Sequence, residues 1–422
     1  MSTLQLVSIL VVIAALFGWV SMRWLRMPLT IGTMILTVSA AFSLEAISAW
    51  VPGIHAWALR LVMQIDFERL ILHGMLPLLL FAGAFLLDLR ELMRQRLVVA
   101  TLAIAGTVLT AAAVASAMYF VLPLAGMKGD WLPCLMFGAL ISPTDPIAVL
   151  EMLRRVGISA GLQAQLAGES LFNDGIGAVL FIMLLSVQRG GAATPGHIAW
   201  LLLLEVGGAT LLGVGAAWVT SWLMSWIDGY QVEILLTLAL ALGGYSVAEA
   251  LHLSAPLEAV VAGLALRSFN GSRSAKRISH ESLDRFWTVI DELQNSVLFV
   301  LLGLEVLAIS FRSGGVESGL AAVAVVVVAR FVVVAILLGL LRVCRQRFVS
   351  SVAVLGWGGL HGGLSLALAL SLPRTGSNAW VLPATYMVVL FSVLVQGGSM
   401  PLLLRRFGTV TAAETVKEMD AA

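Results

Sequence analysis

Residues 135–150 read LMFGALISPTDPIAVL, an apolar stretch interrupted near its centre by Ser-Pro-Thr-Asp-Pro. Its hydropathy predicts a helix at membrane depth. Pro143 and Pro146 each lack a backbone N–H and clash with the preceding turn, so we expect the helix to open between them. The freed carbonyl groups, with Thr144 and Asp145, would present oxygen atoms, which hard cations prefer as ligands. The alternative interpretation is a simple proline kink with Asp145 as a helix cap.

The whole chain has the composition of a membrane protein. Apolar residues make up 60% of its 422 residues and charged residues 12%, against roughly 45–50% and about 25% in soluble domains. Lipid offers the backbone no hydrogen bonds, so long apolar segments are predicted to be helices. A net charge of +1 gives no basic surface for nucleic acid. Cys134 and Cys344 lie in or beside apolar segments and indicate no disulfide framework.

The pattern predicts an all-α polytopic membrane protein with about thirteen transmembrane helices. The predicted spans run near 4–21, 28–51, 70–87, 97–122, 131–153, 165–188, 198–226, 231–251, 254–266, 286–310, 317–341, 350–372 and 378–404. No basic segment precedes the first span, and Arg23 and Arg26 follow it. That order indicates a retained span and not a cleaved signal peptide.

The basic residues are distributed unevenly between the two sides of the membrane. Eighteen of the 25 Lys and Arg residues fall in the loops after odd-numbered spans or in the C-terminal tail. Six fall on the other side, and Arg330 lies within a span. The positive-inside rule then predicts an outside N-terminus and a cytoplasmic C-terminus, in a bacterial-type cytoplasmic membrane. We expect one transporter unit over 1–422, with 405–422 as a short cytoplasmic tail.

The sixth span carries a polar cluster, GESLFNDGIG at 168–177. Ser170 and Asp174 are spaced i, i+4 and share one helix face, and Glu169 and Asn173 share the adjoining face. Together with the fifth-span aspartate this makes three carboxylates at membrane depth, which must be neutralised by protons or by cations. Competition between those two ligands is the basis of exchange. A polar contact that stiffens the helix bundle is the alternative.

Arg330 lies near the middle of the eleventh span, within VVVVARFVVV. A buried guanidinium needs a carboxylate partner, and nothing nearby in the sequence supplies one. Glu169 is the predicted partner, which leaves Asp174 and Asp145 for the ion. The alternative, an arginine that reaches the membrane interface, fits the position poorly.

The twelfth span is rich in glycine, with five glycines among the first eight residues of GWGGLHGGLS at 356–365. Glycine weakens a helix by about 1 kcal/mol relative to alanine, so a second broken helix is predicted here. Paired interrupted helices in the two halves of a chain indicate an inverted-repeat secondary transporter with its site at the bilayer midplane. Close helix packing is the alternative reason for the glycines. His361 is a candidate for pH modulation.

These residues resemble those of the NhaP/NHE-type sodium–proton antiporters, a family of monovalent cation:proton antiporters, over most of the chain. The resemblance rests on Thr144-Asp145-Pro146, on GESLFNDG at 168–175, on Phe286-Trp287, Asp291-Glu292-Leu293 and Asn295, on FVLLGLE at 299–305, on Arg330 and on the twelfth-span glycines. The combination of the Glu-Ser…Asn-Asp motif with Thr-Asp-Pro is the most specific part.

The resemblance implies a domain organisation and an assembly. Spans 5 and 12 would be two crossed, unwound helices inside a core domain, at approximately 97–188 and 317–404. A dimerisation domain would cover approximately 4–87 and 198–310, which implies a homodimer in the lipid bilayer. Members of this family exchange Na⁺ or Li⁺ for H⁺ and contribute to pH homeostasis. The chain is accordingly expected to be no enzyme and to need no cofactor beyond the transported cation.

The resemblance also implies roles for site residues. Asp174 would carry the exchanged proton or cation, and Asp145, Ser170 and the Thr144 carbonyl would help to coordinate the ion. Asn173 would support the site, as would the Glu169–Arg330 pair. The Asn-Asp motif implies electroneutral exchange, one cation for each proton.

Two features depart from the family pattern, and other functions remain open. Many relatives have Arg at the position of His361, and some have an acidic residue near Ala82. A potassium–proton antiporter of the same fold is the main alternative, and a cation channel is less favoured because channel filters repeat by symmetry. A membrane enzyme lacks support, since no nucleophile–base set or metal-binding cluster is evident at membrane depth. A structural protein or receptor would not need three central carboxylates.

Overall fold

A computed structural model describes residues 3–25, 27, 29–48, 51, 53, 60, 62, 64–146, 149–150, 160–190, 195–227, 229–271, 277–307, 315–341, 345–373 and 376–407. Every regular element within these ranges is helical, which confirms the predicted all-α fold. The helices are α1 (Thr3–Val20), α2 (Leu29–Ser48), α3 (Phe67–Leu86), α4 (Leu89–Arg94), α5 (Arg96–Ala125), α6 (Trp131–Ile141), α7 (Ala160–Gln188), α8 (Pro195–Met224), α9 (Tyr230–Ala250), α10 (Ala255–Gly271), α11 (Arg277–Glu305), α12 (Gly315–Leu340), α13 (Arg345–Gly358), α14 (Gly363–Leu370) and α15 (381–407).

The helices have the length and composition of membrane spans. In the described part of the chain, nine are long and apolar enough to cross a bilayer, or ten if α13 and α14, which are bent by 43°, count as one broken span. The chain is therefore a multi-pass membrane protein. Each predicted span overlaps a helix, but α2 and α6 are short, and the count of thirteen stays a prediction.

Helix α11 begins earlier than hydropathy predicted. The tenth predicted span begins near residue 286, yet α11 is helical from Arg277 onward. Apolar periodicity identifies only the part of a helix that faces lipid or core. It therefore does not detect a polar extension of the helix beyond the membrane. Of the predicted C-terminal tail at 405–422, residues 405–407 end α15, and 408–422 lie outside the described residues.

The helices pack in two groups. In one group α5 packs on α6 and α12, α6 on α7, and α12 on α13 and α15. In the other group α10 packs on α3, α8 and α9, and α11 packs on α2 and α3. The predicted division into a core domain and a dimerisation domain stays a prediction.

An aromatic cluster holds the second group together. Trp287 of α11 is fully buried, and its ring centroid lies 4.7 Å from that of Phe81 on α3. The Trp287 indole N–H donates to Thr237 of α9, so the buried polar atom is satisfied. These contacts attach α11 to α3 and α9, and so fix the position of the α11 face that turns toward the first group.

Two helix breaks meet inside the molecule. Helix α6 ends at Ile141, and residues 142–146 are not helical, as the two prolines predicted. Helices α13 and α14 are separated at residues 359–362, where the glycines predicted a break. The backbone N–H of Asp145 donates to the Leu360 carbonyl at 2.7 Å, so the two breaks are in direct contact. That the two helices cross as inverted repeats stays a prediction.

Candidate functional site

A cavity of about 730 Å³ extends from the protein surface to the point where the two helix breaks meet. Its surface end is lined by the exposed residues Asp88, Ala160 and Glu292. Around the breaks it is lined by Thr144, Asp145, Ser170, Asp174 and Gly362. The structure therefore brings the four predicted ion-binding residues to one cavity. Their role as ligands stays a prediction.

The cavity is acidic. Its lining includes six carboxylates, those of Asp88, Glu91, Asp145, Asp174, Asp291 and Glu292. Among the described residues that line it there is no Lys, Arg or His. A concave surface of one charge sign with low-dielectric walls concentrates ions of the opposite sign. The cavity is accordingly suited to cations.

Asp174 and Ser170 lie one turn apart on α7, and both line the cavity, as the i, i+4 spacing predicted. Asp145 reaches the same cavity from the first break and is close enough to repel the Asp174 carboxylate electrostatically. Two neighbouring carboxylates that line one cavity cannot both stay charged at low cost without a counter-charge. A proton or a cation supplies that counter-charge.

Asn173 anchors the first break to α7. Its amide Nδ2 donates to Thr144 Oγ1 at 2.9 Å, and its Oδ1 accepts from the Thr144 backbone N–H at 3.4 Å. Both side chains are buried. Because the break has lost its helical hydrogen bonds, these two bonds replace them and set the position of the neighbouring Asp145.

Gly362 lets the second break approach the Asp145 carboxylate. A Cβ atom at position 362 would overlap the Asp145 side chain. Gly359 plays the same part toward Arg330, whose Nε would lie 2.7 Å from an added Cβ. The glycines of the twelfth span therefore do more than weaken a helix, since at least these two make room for charged side chains.

Arg330 and Glu169 form an ion pair in the interior. Arg330 Nη1 lies 2.5 Å from Glu169 Oε1, and the two side chains are 4% and 1% exposed. Arg330 Nη2 also donates to the Leu355 carbonyl at 3.2 Å, in the last turn of α13. The carbonyls of a last helical turn lack partners, so Arg330 caps α13 beside the second break. The guanidinium thus links α12, α7 and the second break.

His361 joins the two breaks and does not line the cavity. The ring is buried, and Nδ1 lies 3.2 Å from the Pro143 carbonyl oxygen. A carbonyl only accepts, so the hydrogen in this bond is on Nδ1. A part in pH modulation stays a prediction. Ala82 is buried in the cluster around Trp287 and does not itself line the cavity.

Several acidic and polar residues of the cavity were given no role by the sequence interpretation. Thr288, Asp291, Glu292 and Asn295 of α11 were noted at most as part of the resemblance. Their spacing of i, i+3, i+4 and i+7 was an available signal, because it predicts one polar face on a helix. Asp88 and Glu91 had no such signal, since charges after a span are ordinary loop residues.

Comparison with known proteins agrees with the fold and identifies the family. Residues 11–406 match the sequence model of the family described as sodium/hydrogen exchanger, transmembrane. The chain is 38% identical to the Na⁺/H⁺ antiporter NhaP of Pseudomonas aeruginosa, over 99% of this chain and 100% of that protein. It is 32% identical to the Na⁺/H⁺ antiporter NhaH of Halobacillus aidingensis, over 81% of this chain and 84% of that protein.

The fold also resembles a solved structure. The sodium proton antiporter MjNhaP1 from Methanocaldococcus jannaschii superposes with a TM-score of 0.74 at 18% identity, covering 96% of this chain and 99% of that one. This likeness concerns the fold alone. The family match spans most of the chain, and it includes both helix breaks and the polar cluster of α7. The chain therefore belongs to the sodium/hydrogen exchanger family, as a member of its NhaP/NHE-type monovalent cation:proton antiporters.

Proposed function

We propose that this protein is a secondary active antiporter that exchanges Na⁺ or Li⁺ for H⁺ across the membrane by alternating access. The observation that carries the proposal is the position of Asp174 beside Asp145 where an acidic cavity meets two broken helices. The relatives named as Na⁺/H⁺ antiporters support the same activity.

Asp174 is the proposed carrier of either ligand. A carboxylate at membrane depth is costly unless a proton or a cation neutralises it, so the site is occupied by one or the other. Asp145, Ser170 and the Thr144 carbonyl would supply further oxygen atoms to a cation, and none of them is needed to hold a proton. Binding one ligand at a time gives electroneutral exchange, one cation for each proton.

Three further residues would support the site without touching the ion. Asn173 holds the first break through Thr144. The Glu169–Arg330 pair connects α7 to the end of α13. The Arg330 charge lies close to the second break and is compensated by the Glu169 carboxylate. His361, bonded to the Pro143 carbonyl, would modulate the pH response only indirectly.

The cavity suggests which side the site faces. It opens beside Asp88, Ala160 and Glu292, on the side that the positive-inside rule assigns to the cytoplasm. The conformation would then be inward-facing, with the N-terminus outside and the C-terminus inside a bacterial-type cytoplasmic membrane. The group around α7 would act as the core domain, and the group around α10 and α11 would hold the homodimer. Such an antiporter would contribute to pH homeostasis.

The test is a pH-gradient assay in proteoliposomes, with Li⁺, Na⁺ and K⁺ tested in turn. We expect saturable proton movement with Na⁺ and Li⁺, and none in the Asp174→Asn variant, which should insert normally. Proton movement with K⁺ alone would replace the proposal by potassium–proton antiport, and single-channel currents would replace it by a channel. Substantial Na⁺-dependent proton movement in Asp174→Asn would overturn the role of that residue.

A further inference from the structure

Helix α11 presents a polar face to the cavity. Thr288, Asp291, Glu292 and Asn295 follow one another at i, i+3, i+4 and i+7, and all four line the cavity that reaches Asp174. Helix α11 belongs to the group of helices that does not contain Asp174. The cavity therefore has a second set of oxygen-bearing side chains, on a helix of the other group.

Asn295 has a buried polar atom without a partner, which indicates a ligand. The residue is 1% exposed, and its Nδ2 donates to Asp291 Oδ1 at 3.2 Å. A carboxylate only accepts hydrogen bonds, so the amide nitrogen must face Asp291 and the amide oxygen must face elsewhere. That oxygen has no hydrogen-bond partner. A buried acceptor without a partner costs free energy, which a bound cation or its water would recover.

The neighbouring groups complete a set of oxygen ligands. The Thr288 hydroxyl donates to the Asp284 carbonyl at 2.7 Å, so its lone pairs can still accept or coordinate. Asp291 is partly exposed and Glu292 is exposed, which places their charge between the surface and Asn295. Carboxylate, amide and hydroxyl oxygens are the ligands that hard cations prefer.

We propose that Asp291 and Asn295, with Thr288, form a second binding station for the transported monovalent cation, between the cavity mouth and Asp174. This inference rests on the proposed function. A cation there would shed part of its water shell against fixed oxygen atoms before it reaches the paired carboxylates. The station would raise the local concentration of the cation.

The location of the station predicts an asymmetry between the two sides of the membrane. In an alternating-access cycle the site at Asp174 opens to each side of the membrane in turn, so it binds cations that arrive from either side. The α11 face lies on the wall of this one cavity. The station should therefore assist cations that arrive through this cavity, and should have no effect on cations that arrive from the opposite side.

The experiment measures the apparent KM for Na⁺ from each side separately, with the full-length protein inserted in a single orientation in proteoliposomes. The variants are Asp291→Asn and Asn295→Ala. The matched control is Glu281→Gln, which removes an exposed α11 carboxylate that does not line the cavity. We expect about a tenfold rise in KM from the cavity side, the size typical for loss of one charge-assisted ligand, with the maximal rate retained.

Two results would overturn the station. An unchanged KM from both sides would show that the α11 face does not bind the cation. An equal rise from both sides would make Asp291 part of the central site. If Asp291→Asn unfolds in detergent, Asn295→Ala decides by the same comparison. Absence of Na⁺-driven proton movement in the wild-type protein would instead be a failure of the proposed function.

Discussion

The backbone N–H of Asp145 donates to the Leu360 carbonyl at 2.7 Å, so each helix break supplies a hydrogen-bond partner to the other. Gly362, two residues further on, lies directly against the Asp145 carboxylate. The position of this carboxylate is accordingly determined by both halves of the chain. A substitution in either break should therefore change cation binding at the ion site.

Gly362→Ala tests this contact. The added methyl group would overlap the Asp145 carboxylate, so either the side chain or the second break must move. We expect exchange activity to fall strongly, with a raised apparent KM for Na⁺ in any residual activity. The control is Gly243→Ala, because a Cβ atom at that helical glycine meets nothing within 4 Å. Equal activity in both variants would show that the close approach at Gly362 is not required.

The Glu169–Arg330 pair is expected to stabilise the protein more than it contributes to ion binding. Removal of one partner of a buried ion pair costs roughly 3–5 kcal/mol because the other charge is stranded. Glu169→Ala and Arg330→Ala should therefore each lower the thermal stability in detergent more than Asp174→Asn does. The double variant should lose less than the two single losses added together.

The exposed pair Glu281–Arg285 is the control for this double-mutant cycle. Both residues are on α11, and Arg285 Nη2 lies 2.6 Å from Glu281 Oε1. Exposed pairs contribute about 0–1 kcal/mol, so its variants should change stability little. Additive losses for Glu169→Ala and Arg330→Ala would mean that these two residues do not interact in the membrane.

Asp145→Asn should weaken cation binding while it leaves the proton carrier in place. The substitution keeps the size of the side chain and removes one of the two charges that face the cation. We expect the apparent KM for Na⁺ and Li⁺ to rise by about tenfold or more, since loss of a charged ligand costs over ~1.4 kcal/mol. Proteoliposome kinetics give the value. An unchanged KM for both ions would mean that Asp145 only caps the helix break.

Cation and proton should compete at Asp174. Lower pH protonates the carboxylate, so the apparent Kd for the cation should rise by about tenfold per pH unit once the pH is below the pKa of the site. Activity should then be bell-shaped, because at low pH the cation cannot displace the proton and at high pH no proton returns. The measurement is apparent Na⁺ affinity against pH, under symmetrical pH. A pH-independent affinity would contradict competition.

His361→Ala separates competition from a dedicated pH sensor. Because the ring is buried, bonds the Pro143 carbonyl and does not itself line the cavity, its loss should shift the pH profile modestly and leave its shape unchanged. The profile is measured as for the wild-type protein. A complete loss of pH response in this variant would assign the regulatory role to His361.

The sequence alone determined the membrane class, the all-α fold, the family and both helix breaks. Each of these follows from local chemistry. Lipid requires long apolar segments to be helical, and closely spaced prolines or clustered glycines favour a break in a helix. The shared face of Ser170 and Asp174 is equally local, because helix geometry relates residues four apart.

Only the tertiary structure decided which distant groups meet. That Arg330 caps α13, and that the polar face of α11 lines the same cavity as Asp174, depends on how separate helices pack. Helical periodicity tells which residues share a face but not what that face contacts. The contact is set by packing summed over many weak interactions between segments far apart in the chain, and no single stretch of sequence contains that sum.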